Sequence, residues 1–178
     1  MAALHGQGVL VTRPLGQQEA LARSLTNAGA RVISFPVIEI VPRARAVIET
    51  EAAALAPADI SIFVSANAVK HGIDFGTGRI AAIGPATAAA IAAAGKTVDL
   101  AADSGFSSED LLGIDALHAV SDKTVRIIRG SRGRELLAQT LTSRGARVQY
   151  LGVYDRRLPM HSEAEIERLC TAWQAGAI

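Results

Sequence analysis

Short runs of apolar residues alternate along this chain with segments in which apolar positions recur every three or four residues. The runs fall at 8–12 (GVLVT), 30–35 (ARVISF), 59–65 (DISIFVS), 79–84 (RIAAIG), 96–100 (KTVDL), 124–130 (TVRIIRG) and 146–154 (ARVQYLGVY). They carry apolar residues on both faces, which predicts strands of a parallel sheet covered on both sides. The segments between them predict helices near 17–28, 45–55, 66–73, 85–94, 107–118, 133–144 and 163–175. Nearly every strand ends in glycine, proline or a small polar residue before the next helix begins. This alternation predicts an α/β fold.

The pattern also repeats. Laid against each other without gaps, residues 9–40 and 125–156 each read as strand, polar turn, helix and second strand. Identities include Val9/Val125, Arg13/Arg129, Glu19/Glu135, Leu25-Thr26/Leu141-Thr142 and the Gly-Ala-Arg-Val runs 29–32 and 145–148. Two such units predict two similar α/β domains with parallel sheets, and ligands of such folds sit beyond the carboxyl ends of the strands. The second strand of each unit runs on past the expected sheet edge, through a proline and into charged sequence. These extensions predict a two-stranded connector made of 36–42 and 152–159, with residues 43–151 as an inserted domain. Residues 1–35 and 160–178 then form the split domain, which with two strands and two helices looks incomplete.

Composition narrows the function classes. Of 178 residues, 49% are hydrophobic, enough for a core, while the net charge is +1 and only 4% are aromatic. Nucleic-acid surfaces usually carry a basic stripe or stacking aromatics, so no nucleic-acid partner is expected. Apolar runs of about four to six residues fall far short of the roughly 20 needed to span a bilayer. No membrane partner is expected, and the first residues lack a signal-peptide core, so the expected location is the cytoplasm. The single cysteine, Cys170, excludes an internal disulfide and is expected to be a small buried thiol. His5, His71, His118 and His161 are scattered without metal-ligand spacing, so no metal site is expected.

The side chains with chemistry cluster at strand-to-helix elbows: Thr12 and Arg13; Ser65, Ala66 and Asn67; Gly84 to Thr87; and Gly130, Ser131 and Arg132 to Arg134. At such elbows helix N-termini and backbone N–H groups attract anions. Gly84-Pro85 followed by an alanine-rich run reads as the start of a helix, with Thr87 among the free N–H groups of its first turn. Each elbow also has a plainer reading. Ser65 and Asn67 are good helix caps, and surface arginines are commonly just solvated. "RGSRGRE" resembles a phosphate loop but lacks GxxxxGK[ST]. Tyr154 lies in the second extension, where Ile38 holds the equivalent place in the first. It is either a packed tyrosine or a proton donor facing a cleft. No GxGxxG, Ser-His-Asp order, Cys-His pair or paired carboxylates suggest a hydrolase, kinase or dehydrogenase centre.

In order and spacing, VLVTRP, PVIEI, FVSANAV (63–69), AIGPATA (82–88), RGSRGRELL (129–137) and VYDR (153–156) resemble the uroporphyrinogen-III synthase family over essentially the whole chain. The resemblance implies two α/β domains, one inserted in the other, acting as a monomer without cofactor or metal. It implies an anionic tetrapyrrole substrate, hydroxymethylbilane, closed to uroporphyrinogen III with inversion of the last ring and loss of water. By the same resemblance Tyr154 and Thr87 are catalytic. Thr12, Arg13, Ser65, Ala66, Asn67, Gly84, Gly130, Ser131 and Arg132 bind substrate. Family members continue past this length with two further elbows, so the expectation is that this chain by itself catalyses poorly. The competing class is a non-enzymatic ligand sensor of the same fold. A periplasmic-type anion binder is disfavoured by the missing signal peptide.

Overall fold

The structure is a computed structural model and describes residues 3–178. In chain order its elements are β1 (Gly8–Val11), α1 (Glu19–Asn27), β2 (Arg31–Ser34), β3 (Glu39–Pro42), α2 (Arg45–Ala53), β4 (Ile60–Phe63) and α3 (Ala66–Gly72). They continue through β5 (Arg79–Ala82), α4 (Pro85–Ala93), β6 (Leu100–Ala101), α5 (Ser108–Leu112), α6 (Asp115–His118), β7 (Thr124–Gly130), α7 (Leu136–Ser143), β8 (Arg147–Arg157) and α8 (Glu163–Gln174). The chain divides into two compact units: one runs to Ile40 and resumes at Arg156–Ile178, and the other is Val41–Asp155.

The larger sheet has the order β3-β8-β7-β4-β5-β6, and β4 to β8 pair in parallel. Alternate residues of its central strands point to opposite faces. Ile60, Ile62, Val125 and Ile127 pack with Leu111, Leu117, Leu137 and Leu141 beneath α5, α6 and α7. Burying each such side chain is worth about 1.5–3 kcal/mol, so this layer is the main stabilising element of the unit. The opposite face is covered by α3, which approaches closely because of Gly72. A Cβ there would stand 2.8 Å from Ile128 Cγ2 and 2.9 Å from Val153 Cγ1.

The sequence repeat has a local physical cause. After α1, Gly29 adopts φ +90°, its N–H bonds the Thr26 carbonyl and that of Ala30 bonds Leu25. After α7, Gly145 at φ +86° and Ala146 make the same two bonds to Thr142 and Leu141. Both are Schellman caps, and glycine is favoured at that left-handed position. "Gly-Ala-Arg-Val" is thus a helix stop followed at once by a strand.

Several element boundaries differ from the sequence-based expectation. The expected helix over 107–118 is two helices: Ser107 and Asp110 form a capping box that starts α5, and the chain breaks at Gly113-Ile114. The expected strand 96–100 contracts to Leu100–Ala101. Beside it the Asp99 carboxylate, rather than a ladder carbonyl, accepts the Ile80 N–H at 2.7 Å. In the first extension the ladder begins only at Glu39, after Pro36. In the other unit, β1 and β2 form a two-stranded parallel sheet, and neither α1 nor α8 has a fully buried residue. Cys170 lies exposed on α8, so the expectation of a buried thiol is not met. Among the described residues no helix is long and apolar enough to cross a membrane.

Candidate active site at the strand-to-helix elbows

Tyr154 is set by an irregularity in the sheet. β7 and β8 pair in step from Thr124/Arg147 to Arg129/Gly152, after which Gly130 pairs with Tyr154. Val153 is therefore one extra residue. A bulge of this kind breaks the alternation, so Val153 and Tyr154 both face α3. The Tyr154 side chain is fully buried and its hydroxyl lies 3.2 Å from Ser65 Oγ. The ring lies against Gly130, where a Cβ would sit 2.8 Å from Tyr154 Cε2 and 3.0 Å from Cζ. Gly130→Ala is expected to cost about 1–3 kcal/mol through this overpacking, and to loosen the Ser65–Tyr154 contact. Urea denaturation gives the first quantity, and an unchanged midpoint would show that the ring moves freely.

Ser65 is the N-cap of α3, with extended backbone (φ −170°) and its hydroxyl accepting the Ala68 N–H at 3.1 Å. Ser65 is half-buried and Ala66 is exposed. Asn67, half-buried, is the second residue of the helix. His71, one turn on, has its ring centroid 6.4 Å from that of Tyr154 in a tilted arrangement. Burial and then Lys70 lower its pKa, favouring the neutral imidazole.

The Gly84 elbow offers fewer donors than the sequence suggests. Pro85 has no N–H, and those of Thr87 and Ala88 both turn back to the Gly84 carbonyl, at 3.0 and 2.9 Å. Ala86 is left as the remaining donor of the first turn. Thr87 is 3% exposed. Across the elbow, a Cβ on Gly84 would meet Phe106 Cα at 3.2 Å, and the Phe106 ring is 76% exposed. That aromatic sits on a stiff turn, since the Asp110 carboxylate accepts the N–H of both Phe106 and Ser107. Sequence reasoning passed over it because one phenylalanine in a polar loop has no periodic signature.

The 130–135 turn joins β7 to α7. Its start is fixed by Ser131, whose N–H and hydroxyl both donate to the Tyr154 carbonyl, at 2.8 and 3.3 Å. Its end is fixed by Arg129. That guanidinium donates to Glu135 Oε1 at 2.9 Å and to the Arg134 carbonyl at 3.1 Å, and lies 4.2 Å over the Tyr150 ring. The Tyr150 hydroxyl in turn donates to Glu135 Oε2. Burial and the Glu135 carboxylate push the Tyr150 pKa up to about 12, while the Tyr150 and Arg129 hydrogen bonds lower that of Glu135. These contacts delay α7 to Leu136, past the expected start. Arg132 is exposed, and Arg134 pairs with Glu109 at 2.6 Å in an ion pair too exposed to contribute much stability.

Ser65, Tyr154, Gly130 and Ser131 are thus brought together, with the Gly84–Thr87 elbow in the same unit. Thr12 and Arg13 belong to the other unit, where both side chains are exposed and the Thr12 carbonyl accepts the Val37 N–H at 3.1 Å. Helix α1 starts only at Glu19, so this elbow is a longer loop. Arg129, Glu135 and Tyr150 were not singled out by the sequence. The available signal was the Arg-x5-Glu spacing shared by 13/19 and 129/135.

A family model described as "Uroporphyrinogen-III synthase HemD" matches residues 19–178. The chain belongs to the uroporphyrinogen-III synthase family. A uroporphyrinogen-III synthase of Proteus mirabilis is 32% identical over 159 residues, covering 83% of this chain and 79% of that protein. Those of Salmonella typhimurium and Escherichia coli are 34% and 33% identical, over 88% and 94% of this chain and 68% and 71% of theirs. Among solved structures, a mutant uroporphyrinogen III synthase of Thermus thermophilus superposes with a TM-score of 0.64 at 20% identity, over 97% of this chain and 70% of that one. That likeness speaks for the fold, which is the α/β fold expected from the sequence.

Proposed function

We propose that this protein is a uroporphyrinogen-III synthase of haem biosynthesis, which closes hydroxymethylbilane to uroporphyrinogen III and releases water. The observation that carries the proposal is the Tyr154 phenol bonded to the Ser65 hydroxyl at the carboxyl edge of a parallel sheet, in a chain of this family. The substrate's terminal hydroxyl leaves with one proton as water, and the resulting azafulvene is attacked by the last pyrrole ring at its substituted carbon. A spiro intermediate forms, its strained carbon–carbon bond breaks and reforms at the other side of that ring, and loss of a proton restores the aromatic pyrrole. Proton balance is closed within the reaction. A hydroxyl donor is all that the departure step needs, and holding the chain of rings in the productive conformer supplies most of the remaining rate.

The proposed roles follow the elbows. Tyr154 assists departure of the hydroxyl, with Ser65 passing the proton outward. Thr87, Ala66, Asn67 and Gly84 line the substrate's path, Ser131 and Arg132 hold carboxylates beside Gly130, and Thr12 and Arg13 hold others from their own unit. Backbone donors and guanidinium groups suit an octacarboxylate. We read the two crossings of the chain between units, near residues 40 and 155, as the paired connector of an inserted domain. The protein is proposed to act in the cytoplasm as a monomer, without cofactor or metal. Incubation with hydroxymethylbilane tests the reading: type III product is expected, against the type I isomer formed spontaneously. A chain that alters neither rate nor isomer ratio, yet binds the substrate, would be the sensor module instead.

A further inference from the structure

We infer that Arg129, Glu135 and Tyr150 form a clamp that holds the 130–135 turn in its binding shape, making Arg129 a positioning residue rather than a partner of a substrate carboxylate. The inference rests on the proposed function, since the turn is taken to bind substrate. Three observations on the α7 face of the sheet carry it. The Arg129 guanidinium is committed in three directions: to a carboxylate oxygen of Glu135, to the Arg134 carbonyl at the far end of the turn, and to the face of Tyr150. Its side chain is 12% exposed, whereas that of Arg134 is 69% exposed and the whole of Arg132 is exposed. Both ends of the turn are therefore tied to β8, the front to the Tyr154 carbonyl through Ser131 and the back to Tyr150 through Glu135.

The sequence repeat sharpens the argument. Arg13 and Glu19 stand where Arg129 and Glu135 stand in the second copy, but the place of Tyr150 is taken by Ser34. Without that ring the set does not assemble. Ser34 donates instead to Gln18 Oε1 at 2.7 Å, and among the described residues Arg13 makes no ion pair. The same arginine is thus locked in one copy and open in the other. Carboxylate recognition by a side chain of the 130–135 turn falls to Arg132. A planar guanidinium can serve an acid, a carbonyl and a ring at once, and an ammonium cannot.

The experiment uses the full chain with Glu135→Ala and Arg129→Lys, compared with Arg132→Ala. The clamp predicts that both clamp variants speed amide hydrogen exchange over 131–135 and raise the KM for hydroxymethylbilane about tenfold, with kcat within about twofold. Arg132→Ala should raise KM without faster exchange. If Arg129 bound a carboxylate through its charge, Lys would keep KM near wild type and leave exchange unchanged, and the inference would fall. It would also fall if Glu135→Ala left both exchange and KM unaltered. Type III synthesis reports on the proposed function, and the exchange measurement decides separately whether the clamp exists.

Discussion

Tyr154→Phe is expected to slow type III synthesis by about 10²-fold, the usual scale for losing one positioned proton donor. The effect on stability should be far smaller. The ring is fully buried and packs against Gly130, contacts that phenylalanine retains. What is lost is one hydroxyl, whose 3.2 Å hydrogen bond to Ser65 is worth about 1 kcal/mol. Ser65 still accepts the Ala68 N–H, so its hydroxyl keeps one partner and α3 keeps its cap. The two readouts separate the roles. A tyrosine that only packs would show the 1 kcal/mol in denaturation and wild-type turnover. A tyrosine that donates through Ser65 predicts that Ser65→Ala lowers turnover comparably, and that the double variant is little worse than either single one, because members of one relay are not additive. Equal turnover in all four proteins would remove both residues from the mechanism and leave a scaffold that works by holding the substrate alone.

Much of the local structure around the candidate site is legible in the sequence, for a physical reason. Strands apolar on both faces, helix stops at Gly29 and Gly145 and a capping serine at 65 are local signals, each set by residues adjacent in sequence. What could not be read depends on pairing between distant strands. The bulge that turns Val153 and Tyr154 to the same face is invisible in β8 alone, since it exists only relative to β7. The same holds for the Gly84 elbow. Its sequence promised several free N–H groups, but a tightened first turn returns those of Thr87 and Ala88 to the Gly84 carbonyl. The clamp residues were hidden differently. Arg129, Glu135 and Tyr150 are ordinary surface types, and only the parallel pairing of β7 and β8 sets Tyr150 where the Arg129 guanidinium can stack on it.

The other large effect lies in β7, the strand that pairs with the one carrying Tyr154. Arg126 is 4% exposed in β7, opposite Ser61 of β4, in a sheet whose other central positions are almost all apolar. It has no carboxylate partner among the ion pairs of the described residues. Its Nη1 donates to the Phe75 carbonyl at 2.9 Å and its Nη2 to that of Ala56 at 2.8 Å, while Nε has no partner. Burial lowers its pKa, but a guanidinium stays charged at any pH where the protein is folded. Two effects oppose each other here. Burying the charge is costly, and removing it relieves that cost. Against this, the fork ties two segments to the central strand, and without it the half-buried Phe75 carbonyl loses its donor at about 1–3 kcal/mol, while the carbonyl of the exposed Ala56 can turn to water. The second effect should win because both bonds are short and charge-assisted. Arg126→Ala is expected to lose about 3 kcal/mol in urea denaturation, and Arg126→Met, which refills the space of the stem, somewhat less. Arg126 lies four residues before Gly130, about 13 Å along the strand, so turnover per folded molecule should be unchanged. A methionine variant more stable than wild type would mean that the cost of burying the charge prevails. Arg126 would then be a burden on the fold rather than its staple.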